Sequence, residues 1–100
     1  MKGFEDVVAT AIESIPEEFQ PYLENVEFIV EESSPDGLMG LYHGGGAIHA
    51  GEGFPDQITL YKRSHERASR TLDELVEEVR RTILHEVGHH FGMDEGDLPY

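Results

Sequence analysis

Thr71-Leu72-Asp73-Glu74-Leu75-Val76-Glu77-Glu78-Val79-Arg80-Arg81-Thr82-Ile83-Leu84-His85-Glu86-Val87-Gly88-His89-His90-Phe91-Gly92 is the stretch on which the fold turns. Leu72, Leu75, Val76, Val79, Ile83, Val87 and Phe91 recur at i, i+3 and i+4 spacing. That period predicts one long amphipathic helix running to about Phe91. Thr71 and Glu74 have the spacing of a capping box, with Thr71 as N-cap and Glu74 at the third helical position. Gly92 stands where a left-handed residue commonly ends a helix.

Upstream, Phe4, Val7, Val8, Ala11, Ile12 and Ile15 predict an N-terminal amphipathic helix over roughly residues 3–14. Ser14 and Glu17 suggest a capping box for a second short helical stretch, which Pro21 should break or kink. Val26, Phe28 and Val30 alternate at period two, the mark of a strand with one buried face. Ser33-Ser34-Pro35-Asp36-Gly37 is a turn cluster, and Leu38-Met39-Gly40-Leu41-Tyr42 a short apolar strand. Gln57-Ile58-Thr59-Leu60-Tyr61-Lys62 is a further strand. Residues 37–53 hold seven of the eleven glycines, including Gly44-Gly45-Gly46. That run reads as a flexible loop, or as bare backbone that lets a peptide approach a sheet edge. It is not a phosphate loop, because no Gly-Lys-Ser/Thr follows.

One hundred residues, 38% of them hydrophobic, suffice for one globular domain spanning residues 1–100. No cysteine is present, so any metal is held by nitrogen and oxygen. The formal net charge of −14 repels phosphate backbones and argues against a nucleic-acid partner. The sequence has no run of about 18 apolar residues that could span a membrane. The segment Met1-Lys2-Gly3-Phe4-Glu5-Asp6 turns acidic at once and lacks the apolar core of a signal peptide. These features predict a soluble cytoplasmic protein.

His85-Glu86-Val87-Gly88-His89 carries the chemistry. Residues i and i+4 of a helix lie about 40° apart around its axis and one turn apart along it. His85 and His89 can therefore direct their imidazoles at one point, as a tetrahedral zinc requires. Glu86 is about 100° round from His85, too far aside to be a ligand in the same plane. It can reach water in an open coordination position, take a proton during attack on a carbonyl, and return it to the leaving amine. On the helical wheel the stripe of Leu72, Val76, Val79, Ile83 and Val87 spans about 80°. Both histidines lie to one side of it with Glu86 between, so the site borders the core. His90 falls on the stripe and is expected to be a buried structural histidine, bonded to a carbonyl or to Glu86. The pattern H-E-x-x-H-x-x-G-x-x-ligand is met by His85, Glu86, His89, Gly92 and Glu95. Glu95 is the first choice for third ligand and Asp94 the second, with Asp97 a further neighbouring carboxylate. His43, His49, Tyr42, Tyr61 and Tyr100 are candidates to steady a developing oxyanion. For each of these alone a surface or packing role is the plainer reading, and His65 has no spacing that demands a metal.

His85-Glu86-Val87-Gly88-His89-His90-Phe91-Gly92-Met93, the strand Ile58-Thr59-Leu60-Tyr61, and Gly40-Leu41-Tyr42 resemble the bacterial minimal zincin-like metallopeptidase family. The resemblance covers most of the chain, and the helix motif is its specific part. It implies an α+β fold, with a small mixed sheet packed on an active-site helix and an N-terminal helix. It implies zinc as the metal, His85 and His89 as ligands, Glu86 as the catalytic residue, and a peptide or protein as substrate. The family usually has aspartate at the third-ligand slot where this chain has Glu95, so Glu95 and Asp94 both stand. Met93 comes too early to supply the methionine turn of larger metzincins. Two functions are compatible with these residues. The first is hydrolysis of peptide bonds by metal-activated water with Glu86 as general base. The alternative is a zinc-binding peptide-interaction module with little turnover, for which a chain this short offers no deep pocket.

Overall fold

The two period-two runs become the centre and one edge of a small sheet. In the computed structural model, which describes residues 3–44 and 55–92, Val26–Glu31 forms β1, Gly40–His43 forms β2 and Asp56–Tyr61 forms β3. The strand order is β1-β3-β2, with β3 parallel to β1 and antiparallel to β2. Registers pair Phe28 with Ile58 and Tyr42 with Ile58, so the alternate residues Ile58 and Leu60 face one side of the sheet together. Both are fully buried there.

That face is covered by helices. Phe4–Glu13 forms α1, Lys62–Arg67 forms α2 and Leu72–His90 forms α3. Phe4, Val7, Val8 and Ala11 of α1 meet Val79, Ile83, Leu84 and Val87 of α3 in one core cluster. Burial of this kind contributes roughly 1.5–3 kcal/mol for each large aliphatic side chain. The architecture is α+β, a three-stranded mixed sheet packed on the long helix and the N-terminal one, as the sequence implies. Among the described residues no helix is long and apolar enough to cross a membrane.

Local chemistry sets the element ends. Thr71 Oγ1 accepts from the backbone N–H of Glu74 at 3.1 Å, so the predicted N-cap of α3 is made. Glu74 accepts from the N–H of Arg70 at 2.8 Å, one residue further out than a capping box requires. The box expected at Ser14 and Glu17 does not form. Ser14 caps the C-terminus of α1 and its hydroxyl donates to the Ala11 carbonyl at 2.7 Å. Glu17–Leu23 is instead a 3₁₀ helix that carries Pro21 inside it and starts after an extended Pro16. The Gln20 carboxamide donates to the carbonyls of Ile12 and Ile15 at 3.0 and 2.9 Å, supplying partners at the end of α1.

The close approach of β2 to α3 is what shapes the surface around the histidine motif. A Cβ on Gly40 would lie 2.7 Å from Thr82 Cγ2 and 3.0 Å from the Thr59 carbonyl oxygen. Only a glycine lets the strand sit this close to the helix face that bears His85 and Glu86.

Candidate metal centre

The core fixes the rotation of α3, and the rotation fixes the site. Val79 and Ile83 are fully buried and Leu84 and Val87 nearly so, while Leu72 at the far end of the stripe is half exposed. With that stripe turned inward, His85 and Glu86 are half-buried and His89 is exposed. The His85 and His89 rings lie 4.2 Å apart, centre to centre, at 49° to one another. Two imidazoles so close, both on the last turns of the helix, can share one ion without rearranging the backbone. The negative end of the helix dipole also favours a cation there.

Glu86 lies beside the pair. With Met39, Glu78, Arg81, Thr82 and His85 it lines an open groove of about 190 Å³. The groove is smaller than a pocket for a drug-sized ligand and suits a single side chain. Thr82 in this lining is also the residue that β2 approaches at Gly40.

Gly92 adopts φ +69°, the left-handed conformation that ends α3. Glu95, Asp94, Asp97, Tyr100 and His49 lie outside the described residues. Among the described residues no three His, Cys, Asp or Glu side chains converge on one point. His85 and His89 are the two imidazoles brought together there, and any further donor lies outside the described residues.

His90 departs from expectation. It is exposed rather than buried on the stripe, because the core ends at Val87 and the stripe runs out over the end of the sheet. There its ring stacks on Tyr42, centroids 4.0 Å apart and 14° from parallel, with Nε2 3.9 Å from Asp56 Oδ2. Tyr42 in turn donates its hydroxyl to Asp56 Oδ2 at 2.6 Å. Burial, with this hydrogen bond and the aspartate charge, pushes the Tyr42 pKa well above its ordinary value. Its one proton is committed to Asp56, which removes Tyr42 from the oxyanion candidates. His43 and Tyr61 are removed by alternation, since Gly40, Tyr42 and Leu60 occupy the helix side of the sheet.

Sequence reasoning passed over three residues near the site. His65 is fully buried, with Nδ1 2.8 Å from the Tyr61 carbonyl oxygen and Nε2 2.8 Å from Thr82 Oγ1. Thr82 thereby joins the groove wall to α2. Asp56 stands at the first position of a strand, where no local pattern points to it.

The family model for zincin-like metallopeptidases matches residues 8–100. The chain belongs to that family. A solved structure similar to this zincin-like protein is that of a conserved hypothetical protein from Thermus thermophilus. It is 30% identical over 89% of this chain and 91% of the other, with a TM-score of 0.59. Among curated proteins no significant match is found. Membership ties this zincin-like chain to zinc-dependent metallopeptidase chemistry at the level of the family.

Proposed function

We propose that the protein hydrolyses peptide bonds, with zinc held by His85, His89 and a carboxylate from the segment after Gly92, Glu95 before Asp94. The observation that carries this reading is the His85–His89 pair, rings 4.2 Å apart, with Glu86 in the groove wall beside it. Zinc held there supplies Lewis acidity, polarising a carbonyl oxygen and making water more acidic. Glu86 takes the proton of the attacking water and returns it to the departing amine, so one carboxylate serves as base and then acid. Half-burial in a wall that includes Met39 and Thr82 limits competing solvent around that carboxylate. The groove receives a substrate side chain next to the scissile bond. A peptide or protein substrate suits this site better than nucleic acid, given a net charge of −14.

The zinc-binding peptide module has one observation in its favour. Among the described residues β2 is a terminal strand of the sheet, with an edge available for an added strand beside α3. The two readings separate at Glu86. In Glu86→Gln, zinc measured by elemental analysis should stay stoichiometric, while cleavage of a broad peptide library should fall by about 10²–10⁴-fold. Unchanged cleavage refutes the assigned role, and a native protein that binds zinc and cleaves nothing favours the module.

A further inference from the structure

His89 is the penultimate residue of α3, in the turn where the carbonyls of Val87 and His89 accept from residues beyond the helix, the N–H of Phe91 at 3.0 Å and that of Gly92 at 3.4 Å. Such turns fray readily. His85 is steadied by buried neighbours, Leu84 before it and Val87 after it. His89 is exposed and is followed by residues that are exposed too. A two-histidine zinc site needs both rings aimed at one point, so something must hold this last turn.

The side chain that leaves the turn toward the sheet is His90. One face of its ring lies on Tyr42 at 4.0 Å, nearly parallel. Phe91 stands edge-on to both, 4.9 Å from His90 at 86° and 6.4 Å from Tyr42 at 85°. Tyr22 packs on Phe91 at 5.0 Å, tying the turn to the 3₁₀ segment. The backbone of Gly44 comes so near that a Cβ there would sit 2.5 Å from His90 Cε1. Asp56 completes the arrangement: its Oδ2 accepts from the Tyr42 hydroxyl at 2.6 Å and lies 3.9 Å from His90 Nε2. Tyr42 is on β2 and Asp56 on β3, so both strands grip one side chain of α3.

We propose that Tyr42 and Asp56 hold His90 as a positioning clamp, which keeps the adjacent His89 aimed with His85 at a common metal. The clamp rests on the zinc reading above, and its three residues are positioning residues that touch neither metal nor substrate. Supporting residues around metal ligands typically change affinity by about 10–100-fold when removed, and the clamp acts on that scale.

Two measurements on the full chain test it. Hydrogen exchange on the metal-free protein should show His90→Ala loosening the amides of Val87 to Phe91 and leaving those of Val79 to Leu84 as protected as before. Zinc affinity, read by competition with a chromophoric chelator, should weaken about 10–100-fold in His90→Ala. His90→Phe, which keeps a flat ring on Tyr42, should recover most of that loss. Tyr42→Phe keeps the stack and removes only the hydroxyl that Asp56 accepts from. It should weaken zinc about fivefold, the worth of one ordinary hydrogen bond, and it carries the test if His90→Ala fails to fold. Zinc bound as tightly by these variants as by the native chain overturns the clamp alone. Exchange that rises evenly along α3 makes the cluster a general stabiliser and also overturns it. A native chain that binds no zinc, or binds it equally after His85→Ala, overturns the zinc reading and the clamp with it.

Discussion

Thr82→Val isolates the buried polar contact that joins α2 to the wall of the groove. His65 Nδ1 is 2.8 Å from the Tyr61 carbonyl oxygen, which can only accept, so the Nδ1 proton donates there. In the neutral ring Nε2 is then an acceptor, and it lies 2.8 Å from Thr82 Oγ1. That hydroxyl is also 3.0 Å from the Glu78 carbonyl oxygen, but it has a single proton, and the neutral His65 ring needs it. Valine keeps the shape of threonine and deletes the donor, leaving a fully buried ring nitrogen without a partner. The cost is about 1–3 kcal/mol. For a domain of this size each kcal/mol shifts Tm by about 4–8 °C, so thermal unfolding followed by circular dichroism should fall by roughly 5–20 °C. Pairing Thr82→Val with His65→Leu removes donor and acceptor together and should cost less than the sum of the two single changes. Burial holds the His65 pKa below the ordinary histidine value, against the opposing pull of the Tyr61 hydrogen bond and the Glu78 charge. The unfolded chain therefore takes up this proton first. The contribution is intact above about pH 6.5 and is lost as pH falls below it, by at most tenfold in the folding constant per pH unit. The double variant, measured metal-free, should lose that part of the acid sensitivity. A Thr82→Val protein as stable as the native one, or a double variant at least as damaged as the sum, refutes the reasoning.

Two shorter predictions come from the same packing and from the segment beyond Gly92. Gly40→Ala drives a methyl against Thr82 Cγ2 and the Thr59 carbonyl oxygen, and backbone cannot yield as a side chain can. It should cost about 1–3 kcal/mol in chemical denaturation and should also blunt peptide cleavage, because Thr82, which the methyl strikes, lines the groove. Glu95→Gln and Asp94→Asn separate the two candidate third ligands: the true ligand's variant should lose zinc affinity in the chelator competition while the other keeps it. Equal retention in both assigns the third position to neither.

Periodicity carried far in this chain because most elements bury one face. The 3.6-residue recurrence in α1 and α3 and the alternation in β1 and β3 located those elements within about two residues, and the His85-Glu86-x-x-His89 spacing located the two rings. The failures have a common cause. Lys62–Arg67 has no apolar period, since its one inward residue is His65, whose burial depends on Tyr61 and on Thr82 seventeen residues away. His90 has the angular position of a core residue, but angle says nothing of where along the axis the core stops, and it stops at Val87. Ser14 and Glu17 have the right spacing for a cap, yet the preceding helix uses Ser14 first. Pairs such as Tyr42 and Asp56 are joined only by strand register, which no local pattern encodes.

The interleaving of the proposed ligands with core residues explains how so short a chain can hold a defined site. Within one stretch of α3, Ile83, Leu84, Val87 and Gly88 are buried, and His85, Glu86 and His89 occupy the positions between and after them. Turning the helix to misplace Glu86 would draw Ile83, Leu84 and Val87 out of the core, at roughly 1.5–3 kcal/mol for each side chain exposed. That is comparable with the whole stability of a small domain, about 5–15 kcal/mol, so rotation is closed off by the same contacts that make the fold. Core packing does not reach the end of the helix, however. Among the described residues past Val87 no buried side chain pins the helix, and His89 falls within this turn. A site built from the last two turns of a helix thus needs a second fixing point beyond the core, and the end of the sheet at Tyr42 and Asp56 is where this fold provides one.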